Sequence, residues 1–110
     1  MFSPELKKGS IELLALSLLE GQPRHGYEIG KLIEAQSAGR LSFAVSALYP
    51  TLYRMEKKGW TKGRWVEKPG QRRRYYYRLT PRGKAALAER RANWREFVAA
   101  IGGVLDPKLA

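Results

Sequence analysis

Hydrophobic positions in the first third of the chain follow a helical period in two segments. Between Pro4 and Leu19, apolar side chains occupy nearly every side of a predicted helix, so this helix is expected to be buried on more than one face. A second predicted helix begins near residues 24–26 and carries Ile29, Leu32 and Ile33 at helical spacing. The two patterns predict a buried helix followed by a short amphipathic one.

A third helix is predicted to end at Gly59, a residue typical of helix C-termini. Pro50 is expected in its first turn, because a proline farther inside removes a backbone hydrogen bond and clashes with the preceding turn. Ser46 is then the predicted N-cap. The alternative is a start near Phe43 with a distortion at the proline.

The period changes to that of strands over residues 62–67 and 73–79. The sequence Lys68-Pro69-Gly70-Gln71 lies between them and predicts the turn of a two-stranded hairpin. On the second strand, alternation directs one set of side chains toward the protein body and the other toward a ligand. The first set is Tyr75, Tyr77 and Leu79, and the second is Arg74, Tyr76 and Arg78.

A last helix is predicted to begin after the N-cap Thr80, with Pro81 as its first residue, and to end near Ile101 at Gly102 and Gly103. Its apolar residues recur at intervals of three or four, which is typical of a helix that packs against a partner. We therefore predict that this helix packs against a partner through Trp94, Phe97, Val98 and Ile101, and we add Ile11, Leu14 and Leu18 of the first helix to the predicted interface.

The charge is concentrated in one segment. The chain has 110 residues and a net charge of +11, and residues 54–84 hold twelve basic against two acidic side chains. Such a field favours binding to a polyanion, ordinarily nucleic acid. With no cysteine, one histidine and one aspartate, an enzyme, a metal site or a cofactor is not expected. The chain has no apolar stretch long enough for a membrane span, so we expect a soluble, cytoplasmic protein.

Two short helices followed by a basic hairpin suit the reading of duplex DNA. The outward face of the third helix is polar, aromatic and basic, and the hairpin adds three consecutive arginines. An alternative for Tyr49 and Tyr53 is that they only cover a neighbouring element, and an arginine run is often a solvated loop. The predicted DNA-binding residues are Ser46, Tyr49, Pro50, Tyr53, Arg54, Lys57, Arg72, Arg73, Arg74 and Tyr76.

Four stretches of the chain resemble the PadR-type winged-helix transcriptional regulators. They are Leu6-Lys7-Lys8-Gly9-Ser10, His25-Gly26-Tyr27-Glu28-Ile29, the segment from Ala47 to Glu56 that contains Leu48-Tyr49-Pro50, and Gly70 through Gly83. The Leu79-Thr80-Pro81-Arg82-Gly83 element also occurs in MarR-type proteins, which are longer and lack Leu-Tyr-Pro. The resemblance therefore depends on the four stretches together.

The resemblance implies an α+β, mainly α fold: a winged helix-turn-helix of three helices and a two-stranded β-wing at residues 1–80, then a C-terminal dimerisation helix and tail at residues 81–110. It implies a homodimeric repressor that binds a palindromic, inverted-repeat operator in double-stranded DNA. Some members hold flat aromatic drugs against a tryptophan of the last helix. Trp94 is thus a candidate effector-binding residue, with simple interface packing as the alternative.

Three further alternatives concern the binding partner and the role of the single histidine. A structural RNA-binding protein would also be small and basic, but Tyr75 and Tyr77 share a strand face with Leu79, which favours packing over stacking on bases. A protein that binds anionic membranes would place its basic residues opposite an apolar stripe, which the hairpin does not. His25 at a helix start is interpreted as a capping or packing residue, with a pH switch as the alternative.

Overall fold

The computed structural model describes residues 9–106 and has a mainly helical α+β fold, as predicted. A small antiparallel sheet with the strand order β1-β3-β2 accompanies the helices. The elements are α1 (Ser10–Leu18), β1 (Arg24–His25), α2 (Gly26–Gln36), α3 (Val45–Lys57), β2 (Thr61–Val66), β3 (Arg74–Leu79) and α4 (Pro81–Leu105). The predicted start of the first helix at Pro4 and most of the Leu6–Ser10 stretch lie outside the described residues.

One hydrophobic core joins the helices to the sheet. Half-buried apolar residues of α1, including Ile11, Leu14 and Leu18, pack against this core, so the predicted burial of the first helix on several sides is confirmed. The core residues, which come from α1 and the turn after it and from α2, α3, β3 and α4, are Ala15, Leu16, Leu19, Ile29, Ile33, Leu48, Leu52, Met55, Tyr77 and Leu87.

The predicted N-cap at Ser46 is wrong. Helix α3 begins two residues earlier than predicted, with Ala44 as the N-cap residue, and Pro50 lies inside the helix, in line with the alternative start near Phe43. The Ala44 carbonyl accepts the first-turn bonds from Ala47 N (2.9 Å) and Leu48 N (3.0 Å). The proline leaves only the Ser46 carbonyl without its helical donor, and since Ser46 is exposed, water can hydrate that carbonyl.

The hairpin forms as predicted, and the sheet has one strand more. Gln71 N donates to Lys68 O at 3.0 Å, and Gly70 has a φ of 72°, a left-handed conformation that favours glycine in such a turn. Strands β2 and β3 pair in register from Thr61 opposite Leu79 to Val66 opposite Arg74. The additional strand β1 pairs with residues 76 and 77 of β3, so the hairpin is anchored to the segment that leads into α2.

Helix α4 begins as predicted and continues past its predicted end. The Thr80 hydroxyl accepts from Gly83 N at 3.1 Å, which confirms the N-cap. The predicted stop at Gly102 and Gly103 is wrong, because the helix runs to Leu105 and Asp106 N still donates to Gly102 O at 2.9 Å. A helical glycine costs about 1 kcal/mol relative to alanine, which is too little to end a long helix by itself.

The two halves of α4 have different environments. In the first half, Leu87 is 2% exposed, Arg90 pairs with Glu12 at 2.8 Å, and Arg91 holds Glu20 with two bonds of 2.9 and 3.1 Å. From residue 92 onward, no residue of this helix is buried within the described chain. Residues 92–105, which we call the arm, therefore contribute little to the core of their own chain.

The hairpin, α3 and α4 meet at one junction between Gly59 and Gly83. The Thr80 hydroxyl donates to Gly59 O at 2.5 Å, and Thr80 N donates to Trp60 O at 3.1 Å. Gly83 passes so close to the Trp60 carbonyl oxygen that a Cβ at this position would overlap it. The first turn of α4 can approach the end of α3 only because residue 83 has no side chain.

We expect Gly83→Ala to lower the free energy of unfolding by about 1–3 kcal/mol, since the added methyl group must displace backbone rather than a flexible side chain. Urea unfolding at a fixed protein concentration measures the change. Gly21→Ala is the control, because a Cβ at Gly21 meets nothing within 4 Å, and its effect should stay within about 0.5 kcal/mol. A Gly83→Ala protein as stable as the parent would contradict this account of the junction.

Candidate nucleic-acid interface

The basic side chains of residues 54–84 are almost entirely unpaired. Of the twelve, Lys58 alone forms an ion pair within residues 9–106, with Glu12 at 2.9 Å. One of the two acidic residues of the segment, Glu56, is engaged in hydrogen bonds with Tyr75 and Gly63. Ion pairs within the described residues therefore do not neutralise this concentrated charge, which favours association with an anion.

The outward face of α3 is exposed as predicted. Leu48, Thr51, Leu52 and Met55 are buried, whereas Ser46, Pro50, Tyr53, Arg54 and Lys57 are exposed. The Tyr53 side chain is 59% exposed, with the Lys57 ammonium 5.4 Å from its ring centroid. The Arg54 guanidinium donates to the Thr51 hydroxyl at 3.0 Å, which positions it on the helix surface. This face carries hydrogen-bond donors and an aromatic ring that can reach base edges in a major groove.

Tyr49 packs against a neighbouring helix while remaining 39% exposed. A Cβ built on Gly26, the first residue of α2, would lie 2.6 Å from Tyr49 Cε1, so the tyrosine ring covers the backbone there. The alternative considered for this residue, that it covers a neighbouring element, therefore describes one of its contacts. The packing of the Tyr49 ring on Gly26 also fixes the orientation of this side chain on α3, on the same helix as Tyr53.

The three consecutive arginines have three different environments. Arg72 is exposed and makes no ion pair, hydrogen bond or ring contact within the described chain. The Arg73 guanidinium carbon lies 4.5 Å from the ring centroid of Trp65, and that of Arg74 lies 5.4 Å from the centroid of Tyr27. Two of the arginines thus rest on aromatic rings that hold them near the surface.

His25 caps α2, as interpreted from the sequence, and supports the wing. Its Nδ1 accepts from Glu28 N at 3.1 Å, and its ring meets the half-buried ring of Tyr76 edge-on at 5.2 Å. Burial lowers the pKa of His25 below its ordinary 6.5; Arg74 and Lys68 lower it further, and Glu28 opposes them. Tyr76 is thus part of the support between wing and α2, with Lys68 Nζ 3.4 Å from its hydroxyl.

Sequence reasoning missed four residues at this surface. Trp65 is 57% exposed beneath Arg73, and Tyr27 lies between Arg74 and Lys31, whose ammonium is 5.5 Å from its ring centroid. The fourth, Glu56, connects α3 to the hairpin. The register of the hairpin pairs Trp65 with Tyr75, and this cross-strand position is the one signal that could have identified Trp65.

The arm presents apolar side chains to solvent. Trp94 and Phe97 are 53% and 56% exposed with ring centroids 6.2 Å apart, and Val98, Ile101, Val104 and Leu105 are exposed beside them. Ile11, Leu14 and Leu18, the other predicted interface residues, are half-buried against the core. Among residues 9–106 there is no cluster of acidic, histidine or cysteine side chains able to hold a metal ion. No helix in the described range is long and apolar enough to cross a membrane.

A helix-turn-helix followed by a basic antiparallel hairpin defines the winged-helix class of DNA-binding proteins. The sequence profile of the "Transcriptional regulator PadR-like family" matches residues 15–89, about two thirds of the chain. The chain belongs to this family.

Solved structures agree. The chain is similar to a transcriptional regulator from Clostridium thermocellum, with 29% identity, a TM-score of 0.85, and coverage of 93% of this chain and 96% of that one. A PadR family regulator from Eggerthella lenta has 30% identity and a TM-score of 0.80, with coverage of 93% of this chain and 87% of that one. A PadR family regulator from Clostridium difficile has 31% identity and a TM-score of 0.73, with coverage of 88% of this chain and 98% of that one. The protein is thus a DNA-binding transcriptional regulator and not an enzyme, and the structural RNA-binding alternative is set aside.

The lowered pKa of His25 predicts a pH-dependent stability. As the pH falls through the ordinary histidine range near 6.5, the unfolded chain takes up a proton before the folded chain does, so the free energy of unfolding decreases. His25→Asn keeps a capping oxygen without a titrating ring and should flatten this dependence between about pH 5.5 and 7, where no other side chain of ordinary pKa titrates. Urea unfolding across this range measures it, and an unchanged slope in His25→Asn would refute the assignment.

Proposed function

We propose that this protein is a homodimeric repressor that binds an inverted-repeat operator through α3 and the wing. The observation that carries the proposal is the unpaired basic surface, in which eleven of the twelve Lys and Arg side chains of residues 54–84 lack an ion pair within the described chain. It lies on the elements with which winged-helix proteins meet DNA. A repressor acts by occupying its operator, and a small DNA-binding domain can fill that role by binding alone.

In this proposal α3 enters the major groove. Tyr53 and Arg54 contact base edges, and Ser46, Tyr49, Pro50 and Lys57 contact the adjacent sugars and phosphates. The wing places Arg72, Arg73 and Arg74, with Tyr76, against the backbone that flanks each half-site. The exposure of Tyr53, its contact with Lys57 and the orientation of Arg54 by Thr51 support these roles.

Dimerisation belongs to residues 81–110 and DNA reading to residues 1–80. The exposed apolar face of the arm supports this division, because burying each large apolar side chain in a partner contributes about 1.5–3 kcal/mol. The interface comprises Trp94, Phe97, Val98 and Ile101 of the arm, and Ile11, Leu14 and Leu18 at the edge of α1.

Trp94 is the proposed contact for a small, flat aromatic effector. A ring that is half-exposed and tilted by 36° against Phe97 offers a face on which a planar molecule can stack. Such a molecule between two protomers would change the separation of their α3 helices, which are the recognition helices in this proposal, and release the operator. We also propose that the protein acts in the cytoplasm, the compartment that contains the DNA in bacteria.

Two sets of substitutions should affect DNA binding differently. Replacing Arg72, Arg73 and Arg74 together with Gln should weaken binding to operator and random half-sites alike when their flanks are identical, and should flatten the plot of log K against log salt by about 0.9 for each lost phosphate contact. Tyr53→Ala or Arg54→Ala should instead cost about 1–3 kcal/mol on the operator and much less on random DNA. Fluorescence anisotropy with an operator selected from random duplexes provides both measurements.

Arg95→Gln is the charge control, because it removes one exposed cation outside residues 54–84 and should leave the salt slope unchanged. An unchanged slope in the triple variant would exclude the wing from the phosphate contacts. Equal losses on operator and random DNA for both α3 variants would restrict α3 to positioning. Competition by structured RNA at concentrations equal to duplex DNA would contradict the proposal as a whole.

A further inference from the structure

A continuous series of contacts leads from the recognition helix to one wing arginine. The Tyr75 hydroxyl on β3 donates to Glu56 Oε2 on α3 at 2.7 Å, and Gly63 N on β2 donates to the same oxygen at 3.3 Å. One carboxylate oxygen of α3 therefore holds both strands of the hairpin.

Gly63 makes this arrangement sterically possible. The Tyr75 ring lies across Gly63, and a Cβ there would overlap the ring. The phenol reaches α3 because β2 has no side chain at that position. The bond to Glu56 and partial burial raise the pKa of Tyr75 above its ordinary value of 10, so the phenol, already protonated at neutral pH, is held more firmly in its donor form.

The series continues to the wing tip. The Trp65 ring meets Tyr75 at a centroid distance of 5.2 Å and an angle of 63°, and the Arg73 guanidinium lies 4.5 Å from the Trp65 centroid. A cation–π contact uses the face of the guanidinium and leaves its N–H donors at the edge free for a ligand. Trp65 therefore fixes the position of the Arg73 guanidinium while its N–H donors remain available to a ligand. The neighbouring Arg72 has no such contact within residues 9–106.

We propose that Glu56, Tyr75 and Trp65 are positioning residues that fix Arg73 relative to the recognition helix, and that Arg73 enters the minor groove beside each half-site. The inference rests on the proposed operator binding and adds a specificity to it. A guanidinium held at one place favours a narrow minor groove, where the negative potential is strongest, so operators with A-tract flanks are preferred. Arg72 contributes charge without this selectivity.

The test compares two duplexes that share the selected half-sites and differ in the flanks, which are A-tracts in one and G·C pairs in the other. Wild-type protein should bind the A-tract duplex more tightly. Trp65→Ala should lower that affinity by roughly 2- to 10-fold, because Arg73 must then be ordered on binding. Because Trp65 is more than half exposed, this variant is expected to fold, and its unfolding curve verifies that. Trp65→Phe, which keeps a ring, should recover part of the loss.

A double-mutant cycle separates positioning from general destabilisation. Trp65→Ala should have little further effect in an Arg73→Gln protein and its full effect in an Arg72→Gln protein, and Tyr75→Phe should follow the same pattern more weakly. Arg72→Gln should lower the affinity for both duplexes equally and keep their ratio.

Three results would overturn the inference while the proposed function stands: operator binding with no preference between flanks, equal loss of that preference in Arg72→Gln and Arg73→Gln, or an effect of Trp65→Ala that is additive with Arg73→Gln. A wild-type protein that does not distinguish its selected operator from random duplex would overturn the proposed function, and this inference with it.

Discussion

The functional parts of this regulator depend on the junction at Thr80, where the end of α3, the base of the hairpin and the start of α4 are fixed together. The threonine hydroxyl both donates to Gly59 O and accepts from Gly83 N, and its backbone N–H donates to Trp60 O. Since Gly83 has no side chain, α4 can begin directly against the Trp60 carbonyl. The recognition helix, the wing and the arm therefore have one relative orientation. A dimer formed through the arm would carry that orientation to two DNA-reading surfaces.

The clustered positive charge of residues 54–84 is tolerated because of this arrangement. Like charges on one surface repel each other, and the burial of apolar residues beneath α3 and β3 offsets that repulsion and holds the segment in place. Ion pairs lie mainly elsewhere: Arg90 and Arg91 use acidic partners on α1 and in the turn after it to attach the first half of α4. Glu12, Glu20 and Glu56 thus attach elements of the chain to one another, and the wing cations are left without ion pairs within the described residues. A polyanion that relieves the repulsion gains affinity from it.

Local spacing predicted the helices, the hairpin and the Thr80 cap, because each depends on residues close in sequence. The two-residue strand β1 could not be predicted, since its pairing with Tyr76 and Tyr77 depends on tertiary packing. The position of Pro50 was predicted wrongly, because an exposed carbonyl tolerates the loss of its donor. At the site, the exposed face of α3 followed from periodicity. The arginines of the wing are equivalent in sequence, and their separate partners, Trp65 and Tyr27, follow from strand register and from the place of α2 beside the sheet.

The central claim is that a dimer presents two copies of one rigid DNA-binding surface. Hydroxyl-radical footprinting on the selected operator tests this claim most directly. We expect wild-type protein to protect two half-sites centred about 10 bp, or a multiple of that, apart, filling together as protein is added. Phe97→Asp places a charge in the apolar face of the arm and should weaken the dimer. The two half-sites should then fill independently of each other, and only at much higher protein concentration. A single protected half-site at saturation of the wild type, or uniform protection along the duplex, would contradict the claim.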